Sequence, residues 1–116
     1  GVRLTADAAY LIRRTRDLPC TVWINVKEDG VTRYYNPQWA QKAREFNDYL
    51  QAATIDGPAL DDVYSPNLHI LDWNAITTRH PNWFLPDGLH LNATGQAGYA
   101  GRLDRFLNRV CPPTTG

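Results

Sequence analysis

Phe84-Leu85-Pro86-Asp87-Gly88-Leu89-His90-Leu91-Asn92-Ala93-Thr94-Gly95 sets a carboxylate and an imidazole three residues apart, just ahead of a helix start. Pro86 stiffens the turn and Gly88 lets it bend, while Asn92 has the character of an N-cap for a helix entered at Ala93. A carboxylate so placed can accept the Nδ1 proton of the imidazole. It thereby fixes the tautomer and stabilises the imidazolium that forms when Nε2 takes a proton. Asp87 and His90 are the candidate catalytic residues, the Asp-His half of a hydrolytic triad.

Outward from this stretch, the closing helix is expected over Ala93 to Val110, with Ala100, Leu103, Phe106, Leu107 and Val110 inward. Gly95, Gly98 and Gly101 form a stripe that permits close packing, and Pro112-Pro113 stops the helix. Upstream, Asn67 to Asp72 reads as a strand, and Thr21-Val22-Trp23-Ile24-Asn25-Val26 as another, buried on both faces. Thr5 is the expected cap of a first helix running to about Asp17, with Ala8, Leu11, Ile12 and Thr15 on one face. Asn36-Pro37 opens a second helix as cap and first residue, with Trp39, Ala43, Phe46 and Leu50 as its apolar stripe. Lys27 to Asn36, Asp56 to Pro66 and Trp73 to Pro86 read as loops. There is no internal repeat.

Helix, strand, helix, strand, helix is the order of an α/β chain whose strands pair in parallel, with helices covering both faces of the sheet. Two strands do not complete such a sheet. Trp23, Ile24, Val26 and Ile70 are expected on open edges that invite association. Ligands of open α/β sheets bind beyond the carboxyl ends of the strands, where Tyr34, Tyr35, Trp73, Asn74, Trp83 and Phe84 gather. Of these, Trp73, Asn74, Trp83 and Tyr34 are the candidates for a substrate pocket, with packing as the plainer role for the aromatic rings.

Asp87-Gly88-Leu89-His90 followed by a small-residue helix resembles the C-terminal motif block of the SGNH, or GDSL-like, serine esterases and acyltransferases. With Leu68-His69-Ile70-Leu71-Asp72-Trp73 before it and Gly95-Gln96-Ala97-Gly98-Tyr99-Ala100 after it, the arrangement is most similar to the SGNH domain fused behind bacterial membrane acyltransferases. The resemblance implies a three-layer α/β/α, flavodoxin-like fold with a parallel sheet. Two of its strands and three of its helices would lie in residues 1–116, the C-terminal part of one domain, with 111–116 as a tail. It also implies blocks absent from these residues: a nucleophilic Ser in a Gly-Asp-Ser turn, an oxyanion Gly, and an oxyanion Asn in a Gly-x-Asn turn. His90 would be general base toward that Ser and acid toward the leaving alcohol, with Asp87 orienting it, in hydrolysis or transfer of acyl groups on a glycan or lipid. No cofactor is implied. The implied partners are an acyl-ester or glycan substrate, the missing N-terminal half or another chain covering the sheet edge, and a membrane acyltransferase domain in the parent protein. The alternative is a non-catalytic binding or scaffold domain that keeps the fold without the nucleophile. The sole serine, Ser65, precedes the second strand and so belongs at the edge opposite His90.

Composition narrows the partners further. The 116 residues suffice for one modest core, burying roughly two-thirds of the unfolded surface. Twelve basic residues balance twelve acidic ones, so charge announces neither nucleic acid nor an anionic membrane. No apolar run approaches the ~20 residues of a membrane span, and no signal peptide leads the chain. His69, His80 and His90 with Asp72 and Asp87 lack the spacing of a metal site, so no metal is expected. Asn92-Ala93-Thr94 matches a glycosylation sequon, but capping accounts for Asn92 better. Cys20 precedes the first strand, and Cys111 ends a helix running back against the strands, so both arrive at one end of the domain. A structural disulfide in an extracytoplasmic compartment, periplasmic, envelope or secreted, is expected; two neighbouring thiols are the other reading.

Overall fold

The computed structural model describes residues 2–28, 37–58, 63–88 and 90–113. Its elements run α1 (Val2–Arg14), β1 (Thr21–Ile24), α2 (Pro37–Ala52), β2 (Leu68–Leu71), α3 (Trp73–Thr78), a 3₁₀ turn (Pro81–Trp83) and α4 (Ala93–Val110). The chain is thus mixed α/β, with a two-stranded parallel sheet and four α-helices among the described residues. β1 and β2 pair with Thr21 opposite Leu68, Val22 opposite His69, Trp23 opposite Ile70 and Ile24 opposite Leu71. Thr21 N–H donating to the Asn67 carbonyl and Asn25 N–H donating to that of Leu71 extend the ladder past both ends.

Because side chains alternate along a strand, Trp23, Ile70 and Leu68 share one face. They meet Ala8, Ile12, Leu50, Ala53 and Val63, which form the core with α1 and α2. Phe46 lies 6.4 Å from Trp23, ring centre to ring centre. Arg13 and Arg14 stand in the last turn of α1, where positive charge complements the helix dipole.

Several elements depart from the sequence reading. Thr5 lies inside α1 rather than capping it, and the helix ends at Arg14, with the Thr15 hydroxyl donating back to the Leu11 carbonyl. Leu11 faces outward; the buried stripe is Ala8, Ala9 and Ile12. β1 is half-buried along its length instead of buried on both faces. Full burial of a parallel strand needs elements packed over both faces of a sheet, and among the described residues the sheet has only β1 and β2. On α2, Trp39 is 64% exposed, and Ala40 and Asn47 take the inward places beside Leu50. Asn47 is inside for a polar reason: its Oδ1 accepts the Val26 N–H at 2.9 Å, and its Nδ2 donates to the Val26 carbonyl at 2.8 Å. Backbone groups just past the end of a strand have lost their ladder partners, and this amide replaces them. Asn36, the expected cap of α2, lies outside the described residues.

Two further corrections concern the second half. Trp73 to Pro86, read as loop, contains α3 and the 3₁₀ turn. α3 is short and rich in Ile and Thr, a weak propensity signal, and is started by Asp72, whose Oδ1 accepts the Ala75 N–H at 3.0 Å. α4 has the expected bounds, but Ala100 and Leu107 are exposed, while Leu103, Phe106 and Val110 are half-buried. A two-stranded sheet is too narrow to cover the whole stripe.

Cys20 and Cys111 form a disulfide, with Cα atoms 5.8 Å apart and 91 positions between them in sequence. It ties the entry of β1 to the end of α4. The bridge fits an oxidising, extracytoplasmic location. No helix among the described residues is long and apolar enough to cross a membrane. A crosslink closing so long a loop removes unfolded-state entropy, giving about 4–5 kcal/mol in the chain-entropy limit. Cys20→Ser combined with Cys111→Ser should therefore lower the urea midpoint by an amount equivalent to several kcal/mol. Thiol titration of the native, unreduced chain should find no free cysteine; two titratable thiols would contradict the bridge.

Candidate active site

Asp87 and His90 sit on a loop whose closure is local. Phe84 and Leu91 form an isolated antiparallel bridge, and the Asn92 N–H donates to the Trp83 carbonyl at 2.8 Å. Inside that bridge, Leu85 N–H donates to the His90 carbonyl and Gly88 N–H to the Leu85 carbonyl, both at 2.8 Å. Gly88 has φ 70°, the left-handed region that a side chain would strain.

The Asp87 carboxylate uses both oxygens on His90. Oδ1 accepts the His90 N–H at 3.0 Å, and Oδ2 lies 2.6 Å from the ring Nδ1. An ionised carboxylate only accepts, so the shared proton belongs to Nδ1, and Nε2 of the neutral ring carries the lone pair. One oxygen sets the backbone and the other the ring. The His90 side chain is 70% exposed and that of Asp87 30%, so the basic nitrogen is open to a reacting group.

Asn92 holds both ends of the loop. Its Oδ1 accepts the Gly95 N–H at 2.8 Å, capping α4, and its Nδ2 donates to the carbonyls of Asn82 at 2.7 Å and Phe84 at 3.3 Å. Below lies an aromatic stack. His80 stacks on Trp83 at 3.9 Å, Trp73 lies 6.2 Å from Trp83, and Tyr99 meets Trp73 edge-on at 5.0 Å. The glycine stripe of α4 serves this stack: a Cβ at Gly95 would run into the Trp83 carbonyl, and one at Gly98 into its indole. Gly101 faces open space apart from Arg105.

The loop stands on the carboxyl side of the sheet. Lys27, three residues beyond β1, places its Nζ 5.2 Å from the centre of the Phe84 ring. The two strand exits are joined by a polar clamp. Asn25 Nδ2 donates to Asp72 Oδ1 at 3.0 Å, Asn74 N–H donates to Asn25 Oδ1 at 2.9 Å, and Glu28 N–H donates to Asn74 Oδ1 at 2.8 Å.

The sequence-derived candidates are therefore distributed unevenly. Asp87 and His90 are brought together. Trp73 and Trp83 are buried in the stack and offer little ring surface to a substrate. Asn74 is half-buried and committed to the clamp, while Tyr34 lies outside the described residues. Sequence reasoning misses Asn25, Asp72 and Asn47; a polar residue directly after an apolar run is a visible signal for Asn25 and Asp72, whereas Asn47, inside α2, carries none. Ser65 is fully buried where the chain enters β2, at the other end of that strand from the loop, with no partner for its hydroxyl among the described residues. Among the described residues no three His, Cys, Asp or Glu side chains gather as a metal site would need.

The aromatic stack makes a paired prediction. Gly98→Ala should destabilise the chain by about 1–3 kcal/mol, since the added methyl must displace the indole. Gly101→Ala, with room for a methyl, should be neutral or stabilising by up to ~1 kcal/mol. Urea unfolding of both variants checks this, and equal effects would contradict the packing described. No protein-family model matches this chain, and neither a curated protein nor a solved structure does, so the geometry of residues 84–88 and 90–95 carries the functional reading.

Proposed function

We propose that the chain supplies the Asp-His half of a serine-dependent acyl-transfer site of SGNH type. It would act on an ester of an acylated glycan or lipid, as a hydrolase or an O-acyltransferase. The observation that carries the reading is the 2.6 Å contact between Asp87 Oδ2 and His90 Nδ1 in a chain whose Nε2 is exposed. The resemblance of Asp87-Gly88-Leu89-His90 and the helix after it to the SGNH motif block supports it. In this reading the nucleophilic Ser and the oxyanion donors come from polypeptide outside these residues, because Ser65 is buried where β2 begins. The outer edge of β1, which has no strand partner among the described residues, is a fitting place for that polypeptide to dock. A membrane acyltransferase domain elsewhere in the parent protein is part of the same proposal.

The chemistry follows from the proton positions. As the Ser Oγ attacks the ester carbon, His90 Nε2 takes the Oγ proton, and the carboxylate of Asp87 stabilises the resulting imidazolium. Nε2–H then protonates the departing alkoxide, leaving the acyl group on Ser. Water or an acceptor hydroxyl next loses its proton to the same Nε2 and attacks the acyl-Ser carbon. Nε2–H finally returns a proton to Ser Oγ. The carboxylate stays ionised throughout and acts by orientation and charge.

The test uses the natural polypeptide that carries these residues, assayed on an aryl acetate and on an O-acetylated glycan. His90→Ala should lower kcat by roughly 10³-fold or more, and Asp87→Asn should lower it while leaving the fold intact. Unchanged turnover in either variant would refute the assignment. The present chain alone, lacking the nucleophile, should hydrolyse aryl acetate no faster than free imidazole. The sole serine's buried position also favours a second reading, a binding or scaffold domain without catalysis. Saturable binding of the glycan by the natural polypeptide, with no turnover, would select that reading.

A further inference from the structure

A groove of about 490 Å³ runs between α3 and α4 alongside the end of β2. Arg102, Arg105 and Arg109 recur at spacings of three and four on α4, and therefore project from one stripe of that helix. Arg79, directly after α3, lines the groove with them. Between the guanidinium groups the lining is aliphatic and aromatic, chiefly Ile76 and Phe106, with Ile70 from the strand. Four of the ten arginines of a chain with zero net charge thus meet in one concavity.

Their charge is not neutralised from within. Among the described residues none of the four guanidinium groups makes an ion pair, and the one carboxylate in the lining, Asp72, spends its Oδ1 on Asn25 and on the first turn of α3. Arg109 lies over the Phe106 ring at 5.2 Å, which orients the planar group without cancelling its charge. Arginine stems often cover apolar surface while their heads stay in water, and that is the plain structural role of such a stripe. It does not explain why four heads converge on a concave, apolar-lined space of ligand size. Guanidinium forks match the oxygens of a phosphate in pairs, whereas an inorganic ion would leave the apolar lining bare.

We infer that this groove binds a single-chain anionic amphiphile: a phosphate monoester head held by Arg79, Arg102, Arg105 and Arg109, and a hydrocarbon tail lying on Ile76 and Phe106. The inference does not depend on acyl transfer at His90, because its test reads binding alone. The chain with its disulfide intact is titrated calorimetrically with monododecyl phosphate below its micellar concentration. Dodecyl maltoside, which has the same tail and a neutral head, and inorganic phosphate, which is a head without a tail, serve as comparators. Saturable one-to-one binding is expected for monododecyl phosphate, at least roughly tenfold tighter than for either comparator, and weakened by salt. Arg105→Gln combined with Arg109→Gln should lower that affinity by roughly tenfold or more. Both side chains are exposed, so the variant should retain its circular dichroism and melting temperature. Ile76→Asn, which keeps the charges, should weaken monododecyl phosphate and leave inorganic phosphate unchanged. Equal affinity for the neutral detergent, or wild-type affinity in the double arginine variant, would overturn the inference. Binding to phosphatidylglycerol vesicles without binding to monomeric monododecyl phosphate would overturn it too, by assigning the arginines to a lipid surface.

Discussion

The carbonyl of Trp83 accepts the N–H of Asn92 at 2.8 Å, and the functional end of the molecule hangs from that junction. The Trp83 backbone closes the loop that bears Asp87 and His90, while its indole fills the space that Gly95 and Gly98 leave on α4. One residue therefore couples the loop that bears Asp87 and His90 to the longest helix, and through Trp73 and His80 to the chain leaving β2. Mobility in the stack would pass directly to the imidazole. That is why small residues at the start of α4 matter for the placement of the Asp87–His90 pair.

A parallel pair of short strands creates a second constraint. Each strand leaves the sheet at the same end, so unpaired backbone groups accumulate where the site lies. The molecule meets this with carboxamide and carboxylate side chains. Asn47 replaces the missing ladder for Val26, and Asn25, Asp72 and Asn74 bond the two exits to each other. All but the exposed Asn25–Asp72 bond are partly sheltered, and each replaces a contact with water, so their net worth is modest, about 1 kcal/mol apiece. Their geometric effect is larger. They fix where β1 and β2 release the chain, and hence where Lys27 meets Phe84 at the base of the loop.

What the sequence disclosed follows the range of the interactions concerned. Asn92 as a cap, α4 between Ala93 and Val110, and the contact of Asp87 with His90 are decided within a few residues, and all three were legible. The disulfide was legible for a different reason: parallel connectivity dictates which ends of Cys20's strand and Cys111's helix coincide. Burial on α1 and α2 was not legible at the level of single residues. Leu11 and Trp39 have the hydropathy of core residues but face outward, and Asn47 faces inward because of bonds to the backbone of Val26, 21 residues earlier and just past β1. α3 escaped notice because Asp72, its cap, also closes a run of strand residues.

The exposure of His90 sets the terms on which the pair can act. Asp87 orients the ring at any solvent content, since a 2.6 Å contact between residues three apart needs no further enclosure. Its electrostatic support of the imidazolium is another matter: at a separation of about 4 Å the attraction between unit charges is roughly 1 kcal/mol in water and several times that at a partly buried site. With 70% of the imidazole side chain facing solvent, the pair holds the correct tautomer but little of the charge stabilisation that proton transfer in acyl chemistry uses. Under the proposed function, polypeptide covering β1 would bring a nucleophile and exclude water in the same step. Orientation would thus reside in these residues, and the strength of the base would be conferred by whatever covers them.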